Sequence, residues 1–426
     1  MKKKEISDNL MYFQQYIGKE KIKKQLRQAG YTGEGKFDDF DEVYMSIRSE
    51  LPESLKSDSK FITCEALALG VDQGKITESE LDEVLFRVLE DSLLNSYLYK
   101  IESHDIVLTD SGSIPGVLKN WSVSLKKSIV GNISRDAKGL DFVTCSYRLY
   151  ETDGQVEAIR LLLLDKELVP LGGKNKEEVM VAYPTLIDFD FRRNLVHIRL
   201  KDVNNLETDI EEVGTMSKRI ERTQKFISSL SPEIRTSSIS KFGKYLYKIE
   251  EDILSEKRKL AEDKLQSFDK IIESFVEEIA AGLEAQVNGS ISARQYISYA
   301  VLSTIAATLP NNEQGDVVGI KFRSTREEGT KEFAEVHISD KGYKCISTHN
   351  PYWLNLPILQ GEQKVESMKL IKKLSDGYRI AKFEFSLETA NVRLLQKNEH
   401  PDKDYHRQPT DADYSEMIEY LVGFMD

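Results

Sequence analysis

Cysteine is scarce in this chain: Cys64, Cys145 and Cys345 are the only three in 426 residues, far apart and in no CxxC or Cys/His grouping. That spacing excludes a zinc module and a disulfide framework, and it fits a reducing cytosol. Long apolar runs are missing too. The longest, around Ile159 to Leu164 and Ile297 to Leu309, fall short of the about 20 residues that a membrane helix needs, and Ser298, Ser303 and Thr304 interrupt the second. No membrane span and no membrane partner are expected. The opening Met-Lys-Lys-Lys-Glu leads into polar sequence without the apolar stretch of a secretory signal, so this end is expected to stay on the mature protein. Positive charge is not in excess either: a net charge of -12 opposes coating by nucleic acid over the whole surface and leaves only a local basic face for phosphate.

What is present is an organisation. The length suits two or three domains of about 100–200 residues each, and the abundance of Lys, Ile, Ser and Asn points to a bacterium of low genomic GC content. Residues 1–130 read as a helical domain, 131–204 as a segment rich in β-hairpins, 205–310 as a long helical arm, and 311–426 as a β-rich domain closed by a helix at Ser415 to Phe424. The class is α+β with mostly antiparallel sheet, because hairpins outnumber βαβ crossovers. Basic residues dominate 1–30, among them Lys19, Lys21, Lys23 and Lys24, whereas Asp38 to Asp110 is acidic. Such asymmetry marks either an intramolecular contact or a partner site, although solvated helix faces explain it more simply.

Two hairpins can be drawn. Phe142 to Tyr150 and Val156 to Leu164 flank Asp153-Gly154, a pair that supplies the positive φ angles of a tight turn. In Leu186 to Leu200, the register that collects apolar residues on one face pairs Ile187 with Ile198 and Phe189 with Val196. Asp188 then falls opposite His197 and Leu186 opposite Arg199, with Asp190 beside Asp188.

The middle of the chain is punctuated as helices. Ser231-Pro232-Glu233 reads as a helix start. Lys248 to Ala281 holds neither Pro nor Gly and carries a narrow apolar stripe that includes Ile249, Ile253, Leu260, Phe268, Ile271 and Phe275. Such a helix pairs either with a neighbour in its own chain or with another subunit; because a 3.5-residue repeat is not kept throughout, an intramolecular hairpin is favoured over a free coiled coil. Asn288-Gly289-Ser290 reads as a turn, and Ser292 with Gln295 as the capping box of a further helix ended by Pro310. Strands are expected at Val318 to Phe322, Phe333 to Ile338, Tyr378 to Phe385 and Val392 to Gln396.

Several strings resemble sites and fail on inspection. Gly30 to Lys36 has the glycine and lysine spacing of a phosphate loop, but Phe37 stands where the magnesium-binding hydroxyl belongs and Asp38 and Asp39 would repel phosphate. Asp72 to Glu80 has a calcium-loop glycine and glutamate without the acidic ligands, and Thr77 as a helix N-cap explains it better. His400, Asp402, Asp404 and His406 are metal-competent types in a loop, with nothing to fix their geometry. Glu335-Val336-His337 after Asp316 is the nearest approach to a nuclease signature and has His in place of Lys.

Two constellations remain. Asp188, Asp190, His197 and Arg199 could act together, the carboxylates sharing a divalent ion or orienting the imidazole, and a structural cross-strand ion pair is the competing account. Lys218, Arg219, Arg222 and Lys225, continued by Lys241 and Lys244, form a basic helical stretch able to meet nucleic-acid phosphates, against the simpler account of an exposed helix face. The sequence thus favours a non-catalytic interaction or assembly protein of a bacterial cytosolic complex, homo-oligomeric or partner-bound through the long helix, touching nucleic acid and serving in defence against phage or foreign DNA. The alternative is a metal-dependent hydrolase, a nuclease, centred on Asp188, Asp190 and His197.

Overall fold

The computed structural model describes residues 2–33, 36–37, 40–123, 129–133, 142–172, 178–201, 216–282, 293–309, 315–325, 333–340, 344–386, 388–395 and 408–425. The chain is α+β and divides into two compact units, Met1–Ser237 and Ser238–Asp426. The turn at 288–290, Ser292, Pro310 and the 400–406 cluster lie outside the described residues.

The first unit opens with five helices: α1 (Lys3–Met11), α2 (Lys19–Gln28), α3 (Phe40–Glu50), α4 (Ser59–Asp72) and α5 (Glu78–Glu90). Thr77 caps α5 as expected: its hydroxyl accepts from the Glu80 amide at 3.1 Å while the Glu80 carboxylate accepts from the Thr77 amide at 2.7 Å. The basic and acidic blocks meet inside this unit, with Lys19 2.6 Å from Asp41 and Lys3 3.5 Å from Glu65.

Beyond α5 come β1 (Asn95–His104), α6 (Ile114–Asn120), β2 (Phe142–Thr152), β3 (Gln155–Asp165), the small pair β4 (Val169–Gly172) and β5 (Glu178–Val181), then β6 (Thr185–Asp190), β7 (Leu195–Leu200), α7 (Met216–Ser228) and β8 (Ile234–Ser237). The antiparallel order within the unit is β8-β1-β7-β6-β3-β2. Both predicted hairpins are present, and β6 pairs with β7 in the predicted register, Ile187 opposite Ile198 and Asp188 opposite His197. Asp153 and Gly154 take φ of 53° and 79° at the first turn.

The sheet is covered on both faces. Leu162, Leu164 and Leu186 pack under α1–α5, whereas Leu161, Leu163, Ile187, Phe189, Val196 and Ile198 pack with residues of α6 and α7. The apolar run from Ile159 to Leu164, interrupted by Arg160, is therefore a strand buried on both sides. No helix starts at Ser231-Pro232-Glu233: Ile234–Ser237 adds β8 to the edge of β1, with Ile234 buried, and the long helix expected to follow begins only at Phe242. The pairing satisfies backbone groups that a helix would have satisfied internally, and local cap chemistry cannot reveal an open edge nearby. The strand β1 was likewise hidden in a stretch read as helical.

In the second unit, α8 (Phe242–Leu265) runs through a 3₁₀ turn at Gln266–Phe268 into α9 (Asp269–Gly282). Leu265, Gln266 and Asp269 all keep right-handed helical backbone angles, so the rod is continuous. Near its start Gly243 lets the rod approach the chain at Val365, whose amide donates to the Gly243 carbonyl at 3.0 Å; a Cβ there would lie 2.9 Å from the Val365 carbonyl oxygen. The helix α10 (Ala293–Ala306) returns along the rod, as the helical-hairpin reading requires, and Arg294 pairs with Glu273 at 2.8 Å.

The sheet of this unit has the order β10 (Phe333–Ser339), β9 (Gly315–Thr325), β11 (Ser367–Leu374), β12 (Gly377–Ser386) and β13 (Thr389–Leu394). One cross-strand row, Ile338, Ile320, Met368, Phe383 and Val392, is buried throughout. Helix α8 packs on the sheet, as does α11 (Asn350–Glu362), and α12 (Asp411–Val422) closes the chain.

Candidate functional site

The predicted Asp188, Asp190, His197 and Arg199 all point to the face of the first sheet that lies under α1–α5, because residues two apart on a strand share a face. Cross-strand pairing places Arg148, Arg160, Asp188 and His197 in one line over β2, β3, β6 and β7. Glu90, the last residue of α5, comes down onto this line. Its Oε2 accepts from Arg148 Nη1 at 2.5 Å, and its Oε1 accepts from Arg160 Nη1 at 2.8 Å and from the Tyr150 hydroxyl at 2.7 Å. Arg160 Nε donates to Asp188 Oδ2 at 2.7 Å. Asp190 accepts from the Arg193 backbone amide at 3.0 Å and from its Nη1 at 2.6 Å.

The guanidinium groups of Arg148, Arg160 and Arg193 thus face Glu90, Asp188 and Asp190, with Glu83 a further carboxylate 3.7 Å from Arg148 Nε. Burial lowers the pKa of His197, with Arg199 and Arg160 acting in the same direction against Asp188 and Asp190, so the imidazole is neutral at pH 7. His197 Nε2 lies 3.8 Å from Asp190 Oδ2, beyond hydrogen-bond reach. Arg199 does other work: its Nε donates to the Leu93 carbonyl at 2.9 Å and its Nη2 to the Glu90 carbonyl at 2.8 Å, which satisfies the C-terminal end of α5.

Asp188, Asp190 and His197 are 3%, 4% and 2% exposed. Both carboxylates are committed to arginines. Among the described residues, no three His, Cys, Asp or Glu side chains converge as metal ligands. The geometry is that of a buried ion network. Nor are the thiols poised as nucleophiles, since burial pushes Cys64 up to about 12 and Cys345 up to about 11.

The basic helix divides. Arg219 on α7 is 1% exposed. Its Nη1 lies 2.6 Å from Asp165 Oδ2, its Nη2 donates to the Tyr183 carbonyl at 2.8 Å, and its guanidinium stacks 3.8 Å from the Tyr183 ring centroid. Arg222 also binds Asp165 and lies over the Phe142 ring. These two expected phosphate contacts are turned inward, where they fasten α7 to the sheet. Lys218 and Lys225 stay outside, both beside Glu221 at 3.5 and 2.9 Å. Lys241 and Lys244 belong to the second unit and are exposed at the start of α8, while Phe242 between them is buried.

The phosphate-loop likeness dissolves as well. Phe37 is buried against Gly70, and Lys36 lies 3.8 Å from Glu80 and over the Tyr31 ring.

A different surface emerges from the rod. Ile249 and Ile253 of α8 are buried, but farther along the stripe Leu260, Phe268, Ile271 and Phe275 are 45%, 42%, 67% and 50% exposed. The apolar stripe read from the sequence thus leaves the core and continues in solvent. Its periodicity was legible; its exposure was not, because a stripe looks the same whether or not something covers it. The chain matches no protein-family model, no curated protein and no solved structure.

Proposed function

We propose that this protein is a non-catalytic assembly component, with the rod formed by α8 and α9 as its docking element. The observation that carries the reading is the exposure of Phe268, Ile271 and Phe275 in one line on a helix whose other side is already packed by α10. Aligned large apolar residues in contact with water are a recurrent mark of protein interfaces. The buried, ion-paired network around Asp188 supports the non-catalytic half of the proposal, since a working acid–base site needs a group free to exchange protons with substrate. Contact with nucleic acid, within this proposal, falls to the exposed Lys218, Lys225, Lys241 and Lys244. Composition supports a bacterial cytosolic setting, and a complex acting against phage or foreign DNA is proposed from the size of the chain and its lack of metabolic signatures.

Two measurements on the full chain test this. Hydroxyl-radical footprinting should find Phe268 and Phe275 protected when the protein is assembled and labelled when it is dilute; labelling that never changes would remove the docking role. Nucleic-acid or ester cleavage with magnesium or manganese should be absent. Turnover that disappears in Asp188→Asn, with the fold intact, would replace this reading by the hydrolase.

A further inference from the structure

We propose that the arm's partner is a second copy of this chain, docked antiparallel over one short seam; the inference rests on the arm being a docking element and names its occupant. Positions 264, 268, 271, 275 and 278 recur at alternating steps of four and three, the spacing that keeps one seam facing a neighbouring helix. The residues are Lys264, Phe268, Ile271, Phe275 and Glu278. Lys264 and Glu278 are exposed like the three apolar residues between them, and α10 lies elsewhere, held by Arg294 to Glu273 and, at 3.9 Å, to Asp269. Asp269 and Glu273 fall roughly opposite the seam at 100° per residue.

The order of charges selects the partner. The seam is positive at one end, apolar in the middle and negative at the other, over about 21 Å of helix. A parallel copy would set Lys264 against Lys264 and Glu278 against Glu278. An antiparallel copy, related by a twofold axis at Ile271, sets Ile271 against its equivalent, Phe268 against Phe275 and Lys264 against Glu278, each of the last two contacts made twice. An interface of this kind is self-complementary, as a twofold requires. The 3₁₀ turn at Gln266–Phe268 does not interrupt it, since the flanking backbone stays right-handed helical.

Sedimentation equilibrium of the full chain, combined with disulfide trapping, tests the inference. The expected result is a concentration-dependent dimer that Ile271→Asp reduces to monomer while leaving the thermal midpoint of the dilute, monomeric protein unchanged, the site being exposed. Mixed Lys264→Cys and Glu278→Cys chains should cross-link to each other faster than either does to itself. Lys264→Glu should weaken the dimer roughly tenfold, through two lost exposed ion pairs and two new repulsions, and adding Glu278→Lys should restore it, which a general loss of structure would not allow. Preferential Lys264→Cys self-linking would overturn the antiparallel arrangement. A monomer at every concentration would overturn self-docking altogether, while footprinting of the stripe in a cell extract decides the assembly reading separately.

Discussion

Asp188 lies directly opposite His197 across the β6–β7 hairpin, yet its hydrogen bond goes the other way, to Arg160 on β3 at 2.7 Å. The carboxylate neutralises a guanidinium inside the fold, and its remaining oxygen, Oδ1, is buried without a hydrogen-bond partner. Asp188→Asn should therefore leave Arg160 buried beside a single anion, Glu90. The expected loss is about 3 kcal/mol, the range found when one member of a buried pair is removed. Urea unfolding monitored by circular dichroism would measure it, and an unchanged midpoint would contradict the network.

The two sides of α7 should respond differently to truncation. Arg219→Ala strands the buried Asp165 carboxylate with Arg222 alone and is expected to cost about 3 kcal/mol. Lys218→Ala, on the exposed side beside Glu221, should change stability by less than about 0.5 kcal/mol. Thermal melts of both variants check this. A combined Lys218/Arg219/Arg222 variant would also break the Asp165 contacts that hold α7 to the sheet, so Lys218→Ala with Lys225→Ala is the pair that reports on a surface contact.

Asp82 provides a pH test. It is buried, accepts from the Val130 amide at 3.2 Å, and desolvation pushes its pKa up to about 6. Between about pH 4 and pH 6 the native state then holds a proton that the unfolded state has released, so this group lowers stability as pH rises through that window. Asp82→Asn keeps an acceptor for Val130 and removes the ionisation. It should stabilise the protein at pH 7 by up to about 3 kcal/mol and have little effect at pH 4. Unfolding at both pH values tests the sign.

The β2–β3 turn depends on Gly154 at a φ of 79° with open space around the missing Cβ. Gly154→Ala should cost about 1 kcal/mol from backbone conformation alone. A much larger loss in a chemical melt would mean the hairpin tolerates less rearrangement than its open surroundings indicate.

How much of this was readable from the chain varies with the range of the interaction. The β6–β7 register was legible because only one pairing buries Ile187, Phe189, Val196 and Ile198 together. The partners of Asp188 were not: Arg160 sits inside a run of apolar residues, and Glu90 is 70 positions before it. Arg219 and Lys218 are adjacent and both basic, and only the position of Asp165 separates their roles. The strand β11 escaped because its lysines obscure an alternating pattern, with Met368 and Leu370 inward and Lys369 half-buried on the other side. The rod was legible as helix from its lack of Pro and Gly, since helix formation is a local property, whereas the burial of half its stripe is not.

Arg199 joins two parts of the first unit that lie more than a hundred positions apart, holding the Glu90 and Leu93 carbonyls from a strand of the sheet. A fragment cut after residue 130 would keep α5 and lose the arginine that completes its end, together with the strands beneath it. Such a fragment should be a poor expression target, and the amides of α5 and β7 should exchange with solvent at matched rates, as members of one cooperative opening unit.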